Sequence, residues 1–464
     1  MKFDVIAIGG GFAGLASACR AAELGLRALV LEKKPEERYA CNSRYTSGVF
    51  VAMGRHALTS AEELESAILA STGALANPEL VRAYAGHVRH TVEWIRAQGG
   101  RLLEADASEG KQLILAPPRR FREGLDWEGR GGDVLLRTLE ARLLEHGGKV
   151  LRGTRAASLL MEDGRCAGVL AQQNGAQVQI QSRAVIIADG GFQANPDMVR
   201  EHICSRPERL LLRAAPGGDG QGIRMAAEVG AATGGYGKFY GHLHHRDALR
   251  NNRLWPYPHF DSVAAVSLLV GPDARRFTDE GQGGVCMANA VAKLQDPLSA
   301  SVVFDDTIWK GKPGTARPVG PNPYLMEGGG ALVSAPSIAA LAQALGLPAE
   351  SLSDTVTRHN ASVASGAADP LDPPRTNAKF KPLPIDKPPF HGVPLCSGIT
   401  GTMGGLRINA HAQALREDGS PIAGLYAVGT PVAGLEGGPK ASYLGGLSKA
   451  FVLGLIAAEH VAAP

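Results

Sequence analysis

Residues 6–25 read "IAIGGGFAGLASACRAAELG". With the residues just before them they give "FDVIAIG" over 3–9, a nearly continuous apolar run of the kind that forms a buried parallel strand. Small and apolar residues then recur at helical spacing as far as Gly25, and "RALVLEK" at 27–33 supplies a second buried strand. Strand, glycine turn, helix and strand make a complete β-α-β unit. Its turn carries Gly9-x-Gly11-x-x-Gly14, and Glu32 closes the second strand 18 residues beyond Gly14. The first glycine makes the turn, the second admits backbone amides to a pyrophosphate, and the third lets helix and strand pack closely. The helix N-terminus at Phe12 and Ala13 favours anionic phosphates. Glu32, with Lys33 beside it, is placed to meet a ribose hydroxyl, and an acidic group there disfavours a 2′-phosphate.

The rest of the chain limits what such a unit can serve. At 464 residues it is too long for one simple core, so two or three domains are expected. A net charge of +3 excludes the strong field that nucleic acid or an anionic membrane would require. Six scattered cysteines, with no C-x-x-C pair, suit a reducing compartment rather than a disulfide framework or a zinc site. The apolar run at the N-terminus is too short for a secretory signal, and no stretch approaches a membrane span. A cytoplasmic protein is the expectation. Glycine is abundant, at 59 residues spread without period, which suits many close backbone approaches to a large ligand.

Beyond the first unit, "SAEELESAIL" opens with a capping box at Ser60 and Glu63, and Asn77-Pro78 starts a second helix. Residues 131–153 read as helix then strand, and 166–191 as hairpin strands ending in a buried strand and glycines. From about residue 236 aromatics, histidines and arginines collect, and prolines crowd the stretch from 312 to 395. Buried-strand character returns in "GLRINAHAQALREDGSPIAGLYAVG". The expected fold is α/β: a Rossmann-like dinucleotide domain over 1–235 and 376–464, with an inserted α+β capping domain over 236–375. An N-terminal unit of this kind, interrupted and resumed late, suggests FAD held along its whole length. Asn42, Ser43, Thr46, Ser47 and Gly48 then offer hydroxyls and amides where the flavin ring would lie. Ala156 lies on a strand resembling the one whose backbone reads adenine, and Ala188 and Gly190 mark a second crossing of the cofactor.

Taken in order, "IAIGGGFAGLASACRAAELG", "NSRYTSGVF", "IIADGGFQANP", "GDGQGIRMAAEVGA", "ARRFTDEG", "GITGTMGGLRI" and "GLYAVG" resemble the FAD-dependent fumarate reductase/succinate dehydrogenase flavoprotein superfamily. That superfamily includes 3-ketosteroid Δ1-dehydrogenases and tricarballylate dehydrogenase. The resemblance implies FAD at the junction of FAD domain and cap, with hydride passing between flavin N5 and a substrate carbon while a protein group handles the neighbouring proton. It adds Gly429 and Thr430 to the cofactor contacts, and Ser442, Leu444, Gly445 and Leu447 around the start of the C-terminal helix. No histidine stands in "CNSRYTSG" where some succinate dehydrogenases attach FAD covalently, so non-covalent FAD is expected. The family's acidic residue in an "AGE" sequence is here Thr430, with Glu436 following nearby.

Departures from the pattern bear on the substrate. The histidine that precedes "TMGG" in fumarate reductases is Gly401 here, and the arginine expected after "VVFDD" is replaced by Trp309 and Lys310. In "GGPKASYLGG", where a further substrate arginine is expected, Lys440 is the one cation. The Gly401-to-Gly405 form is closer to ketosteroid dehydrogenases, in which a tyrosine acts on the substrate. The glycine-rich loop at 396–408 is expected to face the flavin, with Gly401 and Gly404 at the substrate and Thr402 as a hydroxyl. Against a steroid, the cap is rich in cations, which favours a small carboxylated substrate as in tricarballylate dehydrogenase.

For the proton group the candidates are Tyr240, His242, His244 and Tyr257, with His259 and Tyr443 as further choices. In "GHLHHRD", His242 and His244 share a strand face and have a zinc reading, a reading with His245 and Arg246 as ligands of an anionic substrate, and a reading as solvated histidines. No cysteine or carboxylate pattern supports zinc, so no metal is assigned. Arg276 is either catalytic or holds structure through Glu280, and Arg213 is a candidate substrate cation. The expected function is an FAD-dependent dehydrogenase that desaturates a C–C bond next to a carboxylate or carbonyl. The alternatives are a 3-ketosteroid-type Δ1-dehydrogenase or ene-reductase, and a non-catalytic FAD-binding subunit. Without haem or iron–sulfur motifs, an external acceptor (quinone, partner protein or oxygen) must take the electrons.

Overall fold

The strand Lys2–Ile8 lies at the centre of the first sheet because from Val5 to Ile8 it carries only apolar side chains. Val5, Ile6 and Ala7 are fully buried, and the strand pairs in parallel with Ala176–Ile187 on one side and Ala28–Leu31 on the other. The computed structural model describes residues 2–107, 110–120, 124–316, 319–366 and 371–463. The sheet runs Gln413–Leu415, Pro421–Ala427, Ala176–Ile187, Lys2–Ile8, Ala28–Leu31, Lys149–Leu151, with the hairpin Thr154–Glu162 and Arg165–Gln173 attached to Ala176–Ile187. Residues from both ends of the chain therefore build one layer. The helix Phe12–Glu23 packs on the sheet between the C-terminal helix Gly446–Ala462 and Gly131–Glu145.

A second sheet is organised around one strand, Phe390–Leu406, which is 17 residues long. It pairs with Thr233–His245, Leu211–Leu212, Ser301–Asp305 and Val333–Ala335, and Leu268–Val270 extends the sheet beyond Ser301–Asp305. Most of the glycine-rich segment expected as a loop is thus strand. Its glycines serve backbone packing. A Cβ on Gly404 would lie 2.5 Å from the carbonyl of Gly235, and one on Gly405 2.1 Å from the Pro431 oxygen. Both also have positive φ, which a larger side chain resists. The core behind this sheet draws on residues from Phe192 to Ile399. The cap sheet cannot form without strand Phe390–Leu406. A small third sheet holds Arg55–His56, Val49–Ala52, Gly110–Leu115 and Leu102–Ala107.

Among the described residues no helix is long and apolar enough to cross a membrane. All six cysteines are free.

Candidate active site

At the first turn the backbone leaves no room for side chains. A Cβ on Gly9, which has φ +107°, would stand 2.8 Å from the Ala188 oxygen, and one on Gly14 would stand 2.0 Å from the Gly9 oxygen. Helix Phe12–Glu23 begins at Gly11, which has no side chain of its own to cap the amides of the first turn. Ser43 Oγ accepts from Phe12 N at 2.9 Å and brings its hydroxyl to that end. Glu32 is buried at the tip of its strand, where it accepts from the amides of Gly10 and Lys34 at 3.0 and 2.8 Å. Asp189, beside Gly9, keeps Oδ1 buried without a partner among the described residues, and burial pushes its carboxyl up to about 6. A glycine cradle, a helix start at a glycine, a hydroxyl and a buried acid fit a dinucleotide of the FAD type.

The other proposed cofactor contacts fall into two groups. Gly190 and Gly429 have positive φ, Gly429 lies against Ala13, and Ala188 packs on Gly14. Gly445 caps the C-terminal helix at φ +123°, where a Cβ would meet the Val51 oxygen at 2.3 Å. Leu447 is buried in the first turn of that helix, Ala156 is buried on its strand, and Thr430 Cγ2 faces Gly191 and Gly401. Others hold protein. Lys33 Nζ binds the Gly217 oxygen and Asp219, and Asn42 spans the Thr400 oxygen and the Ala215 amide. Thr46 Oγ1 accepts from Gly48 N, the Ser442 hydroxyl donates to the Ser71 oxygen, and the Leu444 amide donates to Glu436. Ser47 is half-buried in the segment leading to Val49–Ala52.

On the cap side, strand Thr233–His245 sets Tyr240, His242 and His244 on one face by its twofold alternation. Asn289 clamps the strand just before them, its side chain bonding both the amide and the carbonyl of Phe239 at 3.1 and 2.8 Å. The Tyr240 hydroxyl lies 3.0 Å from His242 Nε2, and His242 Nδ1 lies 2.6 Å from Asp261 Oδ2. A carboxylate can only accept, so Nδ1 carries the proton and Nε2 receives the Tyr240 O–H. Burial lowers the His242 pKa and Asp261 opposes it, which keeps the ring neutral at neutral pH. Burial alone would raise the Asp261 carboxyl. His259 and His242 outweigh it and hold the group well below the ordinary carboxylate range. Asp261 also accepts from Leu243 N at 2.9 Å, and only glycine at 284 leaves it space, since a Cβ there would fall 1.9 Å from Oδ2.

The Tyr240 ring stacks on Tyr443, with centroids 3.7 Å apart. Tyr443 Oη accepts from the Gly446 amide at 2.5 Å, at the start of helix Gly446–Ala462. Burial and the nearby Tyr240 hydroxyl raise the Tyr443 pKa well above the ordinary phenol value, so it stays protonated as a donor. Behind this turn Glu436 accepts from Leu444 N at 3.0 Å and from Lys449 Nζ at 2.7 Å, both charges being almost fully buried.

His259 stacks on His242 at 4.5 Å, and His244 stands edge-on to His259 at 6.3 Å. Donor atoms of His242, His259 and Asp261 lie within 4.8 Å of one another, which is metal-like spacing. The shortest pair is already a hydrogen bond. Both ring nitrogens of His244 are buried with no partner among the described residues. Next to it, Arg213 donates to the Pro256 oxygen at 3.1 Å and to Thr400 Oγ1 at 3.0 Å. Thr400 is the extra residue of a β-bulge between the Tyr240–Gly401 and Gly241–Ile399 pairs, and such bulges re-aim side chains. Arg213 and Arg119 both lie over the Tyr257 ring, at 5.0 and 5.2 Å from its centroid.

Other expected residues are engaged elsewhere. Arg276 is locked in a buried cluster with Glu280, Arg375 and the oxygens of Pro373 and Thr278, and its guanidinium does not turn to the site. His245 uses both ring nitrogens as a local cap, on the Asp247 amide and the Ala331 oxygen. Thr402 Oγ1 accepts from Phe192 N at 3.1 Å, tying the second glycine crossing to the long strand, and Gly404 packs on Gly235. Gly401 is roomy, with Thr430 Cγ2 3.8 Å from where a Cβ would stand, and Lys440 is exposed. Sequence reading missed Asp261 and Arg119. Asp261 follows His259 by two positions in "HFDSV", a signal that alternation could have exposed; Arg119 in "PPRRF" has no local signal.

A family model described as an FAD binding domain matches residues 4–441. The chain is 27% identical over 447 residues to the NADH:fumarate oxidoreductase of Klebsiella pneumoniae (strain 342), covering 94% of this chain and 45% of that protein. It is 28% identical over 338 residues to the 4-oxocyclohexanecarboxylate 2-dehydrogenase of Sinomonas cyclohexanicum, covering 67% of this chain and 56% of that one. This chain thus spans about half the length of these curated relatives. Among solved structures, 3-ketosteroid Δ1-dehydrogenase from Sterolibacterium denitrificans, in complex with 1,4-androstadiene-3,17-dione, superposes with a TM-score of 0.76 at 21% identity, covering 99% of each chain. At that identity the likeness is one of fold.

Proposed function

The chain belongs to the FAD binding domain family, and on that premise we propose that it is an FAD-dependent oxidoreductase that desaturates a C–C bond next to a carbonyl. One observation carries this reading: Tyr240 is stacked on Tyr443 while its hydroxyl meets His242, which is backed by Asp261. When bound, FAD supplies the hydride acceptor.

The protein's share is to hold a carbonyl and to move a proton. Tyr443 donates its O–H to the substrate carbonyl. Its oxygen already accepts from Gly446 N, so the helix N-terminus draws charge from the phenol and strengthens it as a donor. Polarising the carbonyl acidifies the C–H beside it. Tyr240 Oη takes that proton as its own passes to His242 Nε2, and Asp261 fixes the tautomer and stabilises the imidazolium. The hydrogen on the next carbon leaves as hydride, and the two carbons end joined by a double bond. The same groups serve the reverse reduction. The electrons go on to an acceptor outside this chain: a quinone, a partner protein or oxygen.

The relatives support both directions. A 4-oxocyclohexanecarboxylate dehydrogenase acts on a ketone that also bears a carboxylate, and the cationic cap favours a small carboxylated substrate of that kind over a steroid. Mixing the holoenzyme anaerobically with 4-oxocyclohexanecarboxylate, tricarballylate or a 3-ketosteroid is the test. Loss of oxidised-flavin absorbance with the keto acid is expected. Bleaching by the steroid alone would move the assignment to a ketosteroid dehydrogenase. A flavin that dithionite reduces but no substrate bleaches, in a protein that co-purifies with a partner, would favour a non-catalytic subunit.

A further inference from the structure

Arg119 is 5% exposed and Arg213 9%, and their hydrogen bonds among the described residues go to the Tyr45 and Pro256 oxygens and Thr400 Oγ1, none of them a carboxylate. Arg119 spends one nitrogen on the Tyr45 oxygen at 2.9 Å, while Nε and Nη2 are buried with no hydrogen-bond partner among the described residues. The two guanidiniums share the Tyr257 ring, so their charges repel across it. Beside Arg213, across Gly398, the imidazole of His244 is fully buried with both nitrogens unpartnered among the described residues; a Cβ on Gly398 would stand 2.7 Å from the His244 ring and 3.5 Å from Arg213 Cβ. Native proteins rarely leave so many buried donors unmet in one place. Tyr45 and Trp255 stand edge to face at 6.1 Å next to this group, and the Trp255 indole is already bonded to the Leu212 oxygen. Among the described residues, Asp126 accepts from Arg130 and from the Arg120 amide.

We infer that Arg119 and Arg213, with His244 beside them, form a seat for the carboxylate of the substrate, so that the chain takes an oxo acid held at two ends. Two guanidiniums fit a carboxylate because each presents planar paired donors, and an anion between them removes their mutual repulsion. The position suits a second anchor. Arg213 bonds Thr400, the bulge residue next to Gly401, and Gly401 pairs with Tyr240 on the neighbouring strand. The inference rests on the dehydrogenase reading only for the place of the carbonyl at Tyr443.

The test is titration calorimetry of the FAD-loaded protein with cyclohexanecarboxylate, which has no ketone to oxidise, and with its methyl ester. The acid is expected to bind about tenfold or more tighter than the ester, the scale of a charge-assisted hydrogen bond. Arg119→Gln and Arg213→Gln should each remove about tenfold of acid affinity and leave the ester unchanged, with Arg119→Lys retaining part of it. Equal binding of acid and ester by the native protein overturns the inference, as does no measurable binding of the acid. That comparison needs no variant, so a substitution that fails to fold leaves it decisive. Flavin bleaching separates the two levels. If the keto acid and its methyl ester bleach the flavin equally, the dehydrogenase stands and the carboxylate seat falls. If neither bleaches it while the acid preference survives and vanishes in Arg119→Gln, the seat stands and the dehydrogenase falls.

Discussion

Tyr240 faces two partners with different demands: His242 accepts its proton, and Tyr443 packs flat on its ring. Removing the hydroxyl while keeping the ring isolates the proton step. Tyr240→Phe is expected to slow flavin reduction by about 10²–10⁴-fold while the protein keeps its FAD, measured by anaerobic stopped flow. His259 leads to a separate prediction about stability. Burial pushes its pKa down to about 3, whereas in the unfolded chain it titrates at the ordinary value of about 6.5. Between those values the unfolded chain binds a proton that the native protein refuses, so stability falls as pH falls through this window. The slope is at most about 1.4 kcal/mol per pH unit for one such histidine. His259→Phe, which keeps a ring against His242, should flatten the decline of melting temperature from about pH 6 to about pH 4. An unchanged slope would assign the acid sensitivity to other groups.

Helix Gly446–Ala462 is the element on which the site turns, because its first amide meets Tyr443 and its N-terminal turn follows a bend fixed by Glu436 and Lys449. The ion pair is 5% and 3% exposed, so removing one partner strands the other in a dry interior. Lys449→Met is expected to cost about 3–5 kcal/mol and to loosen FAD, seen as a lower melting temperature and a higher dissociation constant for the cofactor. At the opposite end of the cradle, helix Phe12–Glu23 admits no Cβ at its third residue, since the Gly9 oxygen would be 2.0 Å away. Gly14→Ala should purify with little or no bound flavin, judged by flavin absorbance per mole of protein. Full occupancy would contradict the cradle. Arg119 raises the same question of cost in the cap. An unpaired buried charge costs about 3–5 kcal/mol. Its contact with Tyr257 returns only about 0.5–2 kcal/mol. That imbalance is why an anion is expected there.

Across the whole molecule, two hydrophobic cores meet around the site, one beneath the first sheet and one behind the long strand. Asn42 is one of the direct ties between them, reaching from the first domain to Thr400 and Ala215. A dinucleotide lying at that junction binds the native arrangement and not the unfolded chain. At 100-fold excess over its dissociation constant it adds about 2.7 kcal/mol. Calorimetry of the FAD-free protein is expected to show two overlapping unfolding steps that merge into one, at higher temperature, when FAD is added. A single transition without FAD would mean that the cores unfold together through protein contacts alone.

The β-α-β unit, the cofactor cradle and the α/β class were legible in the chain itself because each is set by local rules. Glycine spacing, a run of buried apolar residues and a helix start are read over about 30 residues, and Gly9, Gly11, Gly14 and Glu32 fall together without reference to anything distant. Tyr240 and His242 were also visible as a strand face. What joined them to Asp261, Tyr443 and Gly446 was tertiary, for these residues come from three segments that meet only when the C-terminal helix docks beside the cap. The long strand is the sharpest case. Its glycines suggest a loop locally, yet strand pairing on both sides overrides that tendency and uses the missing side chains for close packing. Arg119 and Arg276 make the same point in opposite directions. Only burial and the company of other charges decide which guanidinium is already satisfied by Glu280 and which one has no anionic partner among the described residues.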